Sequence, residues 1–140
     1  MATTNYGFTY PFDAGGNLSD SGSPAIYRFV RFGSIAGEVL RATGGSNPYP
    51  LGILQSNPGA SGLEAPVTMW GWSQVYADAG GAPVGYGSFL TAGSDGQAVV
   101  QTGTSSSNPV SAIALEALAS GSGVLINCLV LPFGIKLGAS

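Results

Sequence analysis

The 140-residue chain contains no histidine. Imidazole is the usual proton acceptor near neutral pH, so a serine or cysteine nucleophile has no ordinary base here. Lys136 is the only lysine and stands near the end of the chain. Cysteine occurs once, at Cys128. A single cysteine excludes an intrachain disulfide and fits synthesis in a reducing compartment. Without histidine or further cysteines, zinc ligation has no ligand set. Charge is scarce too: four basic and seven acidic residues make up 8% of the chain, with a net charge of −3. That is about a third of the charge soluble domains carry. Arg28, Arg31, Arg41 and Lys136 are too few to track a phosphate backbone, so no nucleic-acid partner is expected. Asp13, Asp20, Glu38, Glu64, Asp78, Asp95 and Glu116 show no local pairing of the kind glycoside hydrolysis uses, and only folding can bring two together. No Walker-type loop ending in Gly-Lys-Ser/Thr occurs, nor an Asp-rich calcium loop. No run approaches the ~18 apolar residues of a membrane span, and Met1 to Asn5 lacks the basic and apolar stretches of a signal peptide. No metal, no cofactor and no catalysis are expected.

What the chain does have is glycine, 23 residues of it, and 44% apolar side chains. At this length one domain burying roughly 70% of its unfolded surface is the natural outcome. With so little charge, solvent-facing positions fall to Ser, Thr, Asn, Gln and Gly. Such a surface is easily covered by a partner, because few ions must be desolvated.

From Pro24 onward the pattern is β: short apolar or alternating runs separated by glycine-rich breaks, as in sandwiches and barrels. Strands are expected over Ala25–Phe32, Glu38–Ala42, Leu51–Gln55, Ala65–Ala77, Phe89–Thr91 and Gln97–Gln101. Asn57-Pro58-Gly59 closes one run, and Asp95-Gly96 between two others predicts a hairpin. Ser111 to Leu118 has helix or strand propensity. Its shortness, and the turn at Ser120 to Gly123, favour strand. Val124 to Leu131 is apolar on both phases, which predicts a strand covered on both sides. Cys128 within it is expected to be a small buried hydrophobe. Arg28 and Arg31 differ by three, so a regular strand sends them to opposite faces. One of them is then free to enter an interface or an ion pair, unless a strand end releases Arg31. Trp70 and Trp72 share one face, two residues apart. They are either core filling or a stacking platform for a subunit contact.

Residues 1–24 differ from the rest. Four aromatic rings, Tyr6, Phe8, Tyr10 and Phe12, fall within seven residues, ahead of a polar, glycine-bearing stretch. The segment reads either as a first edge strand of the core or as an extended arm that docks its rings on another subunit. The arm reading divides the chain into an N-terminal arm over 1–24 and a β-barrel over 25–140. It predicts that deleting Met1 to Ser23 leaves the barrel folded. Tyr6, Phe8, Tyr10, Phe12, Arg28, Trp70 and Trp72 are the candidate interface residues.

Leu51-Gly52-Ile53-Leu54-Gln55-Ser56-Asn57-Pro58-Gly59-Ala60 is followed by the Val67 to Val75 run with its central glycine. Next come Ala79-Gly80-Gly81, Gly85 to Ala92, Asp95-Gly96-Gln97-Ala98, Ile113-Ala114-Leu115-Glu116-Ala117, and an ending Val130-Leu131-Pro132. This order resembles the small capsid decoration, or cement, proteins of tailed bacteriophages over Leu51 to Pro132. The resemblance implies an all-β fold, a compact β-barrel or β-tulip-like body. It further implies a structural virion protein, made in the host cytoplasm, that binds the outer capsid surface. There, commonly as a homotrimer, it locks neighbouring major capsid protein subunits against internal DNA pressure. A carbohydrate- or host-surface-binding module displayed on the virion is the alternative, with Trp70 and Trp72 as stacking rings. A hydrolase using distant carboxylates is a third.

Overall fold

The computed structural model describes residues 7–19, 24–44, 49–102 and 109–135. Among them there is no helix, and nine strands form one sheet. The strands are β1 (Gly7–Ala14), β2 (Phe29–Phe32), β3 (Glu38–Arg41), β4 (Gly52–Leu54), β5 (Glu64–Asp78), β6 (Phe89–Ala92), β7 (Ala98–Val100), β8 (Val110–Ala114) and β9 (Ser122–Ile135). The all-β compact body expected from the glycine-punctuated runs is what forms.

The sheet closes on itself twice. One circuit runs β1-β3-β2-β4-β5 and returns through β1–β5; the other runs β5-β7-β6-β8-β9 and returns through β5–β9. β5, 15 residues long, is the wall common to both. Each circuit has one parallel seam. β1 meets β3 through two parallel pairs, and β5 meets β7 through the single pair Ala77↔Ala98. Closure matters because it leaves few unpaired backbone groups to recruit a foreign strand.

Each circuit holds its own core. Phe12, Ala14, Val30, Val39, Leu54, Ala65 and Val67 pack together in the first. Phe29, Ile53, Val75, Ala77, Leu90, Ala112, Ile126, Cys128 and Val130 pack in the second. Alternation along β5 explains the arrangement. Odd positions such as Ala65, Val67, Val75 and Ala77 are fully buried, while Trp70 and Trp72 point outward.

Within the segment read as an arm, Gly7–Ala14 is part of the sheet. β1 lies antiparallel along β5 from Gly7↔Gly71 to Asp13↔Glu64. Its pairing therefore crosses the expected boundary at residue 24, and its Phe12 and Ala14 belong to a core. The physical reason is that Phe12 and Ala14 supply the apolar face an edge strand needs, so burial fastens the segment. Tyr6 and residues 20–23 lie outside the described residues.

A β-bulge on β5 shifts its register against β1. Phe8 pairs with Trp70 and Thr9 with Thr68, leaving Met69 without a partner across the ladder. Phe8, Tyr10 and Phe12 share one side of β1, and exposure falls along that side from Phe8 and Tyr10 to the buried Phe12.

The Asp95-Gly96 hairpin forms as expected, joining β6 to β7 with Ala92 opposite Ala98. Gly96 has φ of 80°, and a Cβ there would lie 2.9 Å from the Phe29 carbonyl oxygen, so only glycine fits without displacement. Ala25 to Arg28 departs from the expected strand. Tyr27 has φ of 55° and the Arg28 N–H donates to the Ala25 carbonyl, so a turn precedes β2. Ser111 falls in a strand, but the element ends at Ala114; Leu118 continues only as a bridge to Val84.

Candidate interaction surface

The outer face of the second circuit carries a row of apolar side chains in register. Trp72 on β5 opposes Leu129 on β9, Leu129 opposes Ile113 on β8, and Ile113 opposes Phe89 on β6. Trp72 is 47% exposed, Phe89 44% and Leu129 39%. None of the four positions is charged. The expectation that Val124 to Leu131 is covered on both sides is therefore corrected. Ile126, Cys128 and Val130 are buried, but Leu125 and Leu129 face outward and are partly exposed. Periodicity marks both phases as apolar without saying whether the second cover is supplied by the same chain.

A second aromatic group adjoins the row. Trp70 and Phe8 face each other across β5 and β1, each about half exposed, and with Met69 and Pro132 they line an open recess of 390 Å³. The ring of Tyr10 lies 6.4 Å from that of Phe8 and 4.6 Å from that of Phe12, and Phe12 meets Phe32 edge-on at 5.9 Å. The chain of rings thus runs from a buried anchor, Phe12, to an exposed end at Phe8. Trp70 and Trp72 are not core filling; their side chains emerge on one face about 7 Å apart along the strand.

The seven candidate residues therefore separate. Phe8, Tyr10, Trp70 and Trp72 are exposed around the middle of the shared strand. Phe12 is taken into the first core. Arg28 is also taken inward. Its Nη1 donates to the Asp95 carboxylate at 2.8 Å and to the Asp95 carbonyl at 3.2 Å, and its guanidinium lies 5.6 Å from the centre of the Tyr76 ring. Phe89, Ile113 and Leu129 were absent from the candidates. Their signal was present as period-2 alternation in β6, β8 and β9, but it does not label which phase faces out.

Around Asp95 the polar groups form a connected set, although the buried Arg28 Nε has no hydrogen-bond partner among the described residues. Gln97 donates from Nε2 to the same carboxylate at 2.6 Å and accepts at Oε1 from the Gly123 N–H at 2.6 Å. Burial alone works to raise the Asp95 pKa. The hydrogen bonds from Gln97 and Arg28, with the Arg28 charge, outweigh it and hold the carboxyl below the ordinary carboxylate range. The set ties the β6–β7 hairpin to the entrance of β2 and the start of β9. Its geometry is that of a clasp.

Chemistry elsewhere is sparse. Among the described residues no three metal-ligating side chains gather. A cleft of 240 Å³ is lined by Asn17, Leu18, Ala25, Arg31, Leu40, Arg41 and Thr43, and one of 180 Å³ by Asp78, Gly81, Ala82, Val99, Val100 and Thr102. Asp78 is the sole carboxylate in these linings and that of the aromatic recess, so none of the three offers the carboxylate pair a hydrolase needs.

No family model matches the chain, and no curated protein matches it. The fold is similar to that of a phage head-fiber base. The solved structure is the head fiber gp8.5 N base of bacteriophage phi29, matched with a TM-score of 0.58 over 92% of this chain and 98% of that one. Identity is 20%, so the likeness is one of fold. It extends beyond Leu51 to Pro132 into the first circuit, since only 8% of the chain falls outside the match.

Proposed function

We propose that this protein is a structural component of a phage virion. It binds the outer surface of the capsid, commonly as a homotrimer, and cements neighbouring major capsid protein subunits against the pressure of packaged DNA. The observation that carries the reading is the uncharged aromatic face at the junction of the two circuits, where Phe8, Tyr10 and Trp70 stand exposed around an apolar recess. Apolar burial contributes about 25 cal/mol per Å² before the costs of association, and many copies on one shell add effective concentration. Adhesion of this kind transforms no substrate. The fold shared with a phage head-fiber base supports a place on the virion, and the order of motifs from Leu51 to Pro132 supports the cementing role. Phe8, Tyr10 and Trp70 form the capsid-facing group.

The test is co-sedimentation with capsids that lack the protein, followed by measurement of their rupture threshold. Binding with a raised threshold is the expected result. Failure to co-sediment, or capsids that rupture at an unchanged threshold, overturns the reading.

A second reading follows from the exposure of Trp70 and Trp72, whose spacing on one face suits stacking on sugar rings. In that reading the protein displays a carbohydrate- or host-surface-binding module. A glycan array with no hits removes it.

A further inference from the structure

We infer that Pro11 guards an open stretch of sheet edge on β1 and keeps copies of this chain from joining strand to strand there. The inference concerns the free protein and stands apart from the proposed place on a virion.

β1 uses its two edges unequally. Along β5 it is paired from Gly7 to Asp13. Along β3 it is paired only at Asp13 and Ala14. Among the described residues, no strand covers the β3-side edge from Gly7 to Phe12.

Successive residues of a strand turn their backbone groups to opposite edges. The Ala14 N–H donates to the Leu63 carbonyl, just ahead of β5, whereas the N–H groups of Asp13 and Gly15 donate to the carbonyls of Gly37 and Val39, on the β3 side. Counting back by twos, residues 11, 9 and 7 face the same side as Asp13, where the edge is open. Gly7 and Thr9 each present an N–H and a carbonyl to it. Pro11 presents a carbonyl and no N–H, and its ring fills the place of the missing hydrogen.

The residue across the ladder marks the contrast. Pro66 on β5 stands directly opposite Pro11. Its carbonyl accepts from the Gln55 N–H, so its backbone groups face the β4 side. Neither proline therefore takes a bond from the β1–β5 ladder. Pro66 faces backbone of its own chain, whereas Pro11 is exposed and faces outward.

An edge in this setting is a hazard. Phe8 and Tyr10 flank Thr9 and are 45% and 48% exposed. Unpaired backbone beside apolar rings is a template for another copy's strand. The open stretch is also complementary to itself. Two copies laid antiparallel about Thr9 set Thr9 opposite Thr9 and Gly7 opposite residue 11, pairs that exchange N–H···O bonds in both directions. With proline at 11, the Gly7 carbonyl of each mate finds no donor, and the two rings hold the strands apart.

The experiment is sedimentation velocity of the full chain over a wide range of concentration, with amide hydrogen exchange followed at Thr9. Pro11→Thr returns the N–H and keeps a β-favouring residue at an exposed position. It is expected to raise the association constant by about tenfold or more over wild type, with an unchanged far-ultraviolet circular dichroism spectrum. The Thr9 amide of that variant is expected to become protected as it associates. In the wild-type chain the same amide is expected to exchange as an unbonded group. Pro11→Val is expected to act like Pro11→Thr and serves if the latter does not fold. Pro66→Thr returns an N–H to the Gln55 side and is expected to leave association unchanged. A folded Pro11 variant that associates no more strongly than wild type overturns the inference. So does a Thr9 amide that exchanges slowly in dilute wild-type protein, and so does a Pro66→Thr chain that associates as strongly as Pro11→Thr. No capsid enters these measurements, so their failure leaves the virion reading to its own test.

Discussion

Phe29 and Val30 are adjacent in the chain and belong to different cores. Phe29 packs with Ile53, Val75 and Leu90 in the second circuit, and Val30 with Val39, Leu54 and Val67 in the first. β2 therefore has no outer face at this point. β4 repeats the pattern, with Ile53 in one core and Leu54 in the other. Together the two short strands form a partition, and β5 is the wall against which both cores are built.

This partition predicts additivity where sequence proximity suggests coupling. Phe29→Ala is expected to cost about 3–5 kcal/mol and Val30→Ala about 2 kcal/mol. In the double mutant the two costs are expected to add within ~0.5 kcal/mol, because the side chains share no cavity. Phe29→Ala combined with Ile53→Val, a cross-strand pair in one core, is expected to deviate further. Denaturant unfolding of the three sets checks this.

The Asp95 clasp predicts a loss of stability in acid. A carboxyl whose pKa is depressed in the folded state contributes stability above its unfolded value of ~3.9, and that contribution disappears as pH falls through the lower folded value. The Arg28 side chain is 9% exposed and that of Asp95 41%, so solvent screens one partner more than the other. Asp95→Asn is expected to destabilise by on the order of 1–2 kcal/mol at neutral pH, because the buried Arg28 loses its countercharge. It is also expected to flatten the stability profile below about pH 4. Thermal melts of both proteins across that range decide it; parallel profiles refute the clasp.

Removal of Met1 to Ser23 is expected to unfold the first circuit. The deletion takes away β1, its seven pairs with β5 and the buried Phe12 and Ala14. Near-ultraviolet circular dichroism and the unfolding transition are expected to show lost or broadened tertiary structure. A truncated chain that melts as sharply as the full one contradicts the role of β1 described above.

Cys128 is fully buried in β9, and burial pushes its thiol up to about 12. Thiol-specific reagents act on the thiolate, so the folded protein is expected to resist labelling at neutral pH and to react stoichiometrically once denatured. Rapid labelling of the folded chain at neutral pH contradicts this placement.

Much of this was legible in the chain before folding was considered. Period-2 alternation located β5, the Asp95-Gly96 pair located the β6–β7 turn, and the apolar setting of Cys128 implied burial. These are local signals, set by backbone sterics and by which side chains a pleated strand can present. The absence of histidine and the thin charge inventory likewise limited the chemistry open to the molecule at every level of structure.

What alternation does not carry is the identity of the neighbour on each face. That Phe29 and Val30 serve two cores, that Trp72 and Leu129 face outward, and that Arg28 turns in to meet Asp95 all depend on strands far apart in sequence closing around β5. Those pairings follow from the total burial and hydrogen bonding of the whole sheet, so only the tertiary structure decided them. A strand's own residues determine that its two sides differ, or agree, in character; long-range closure determines which side meets water.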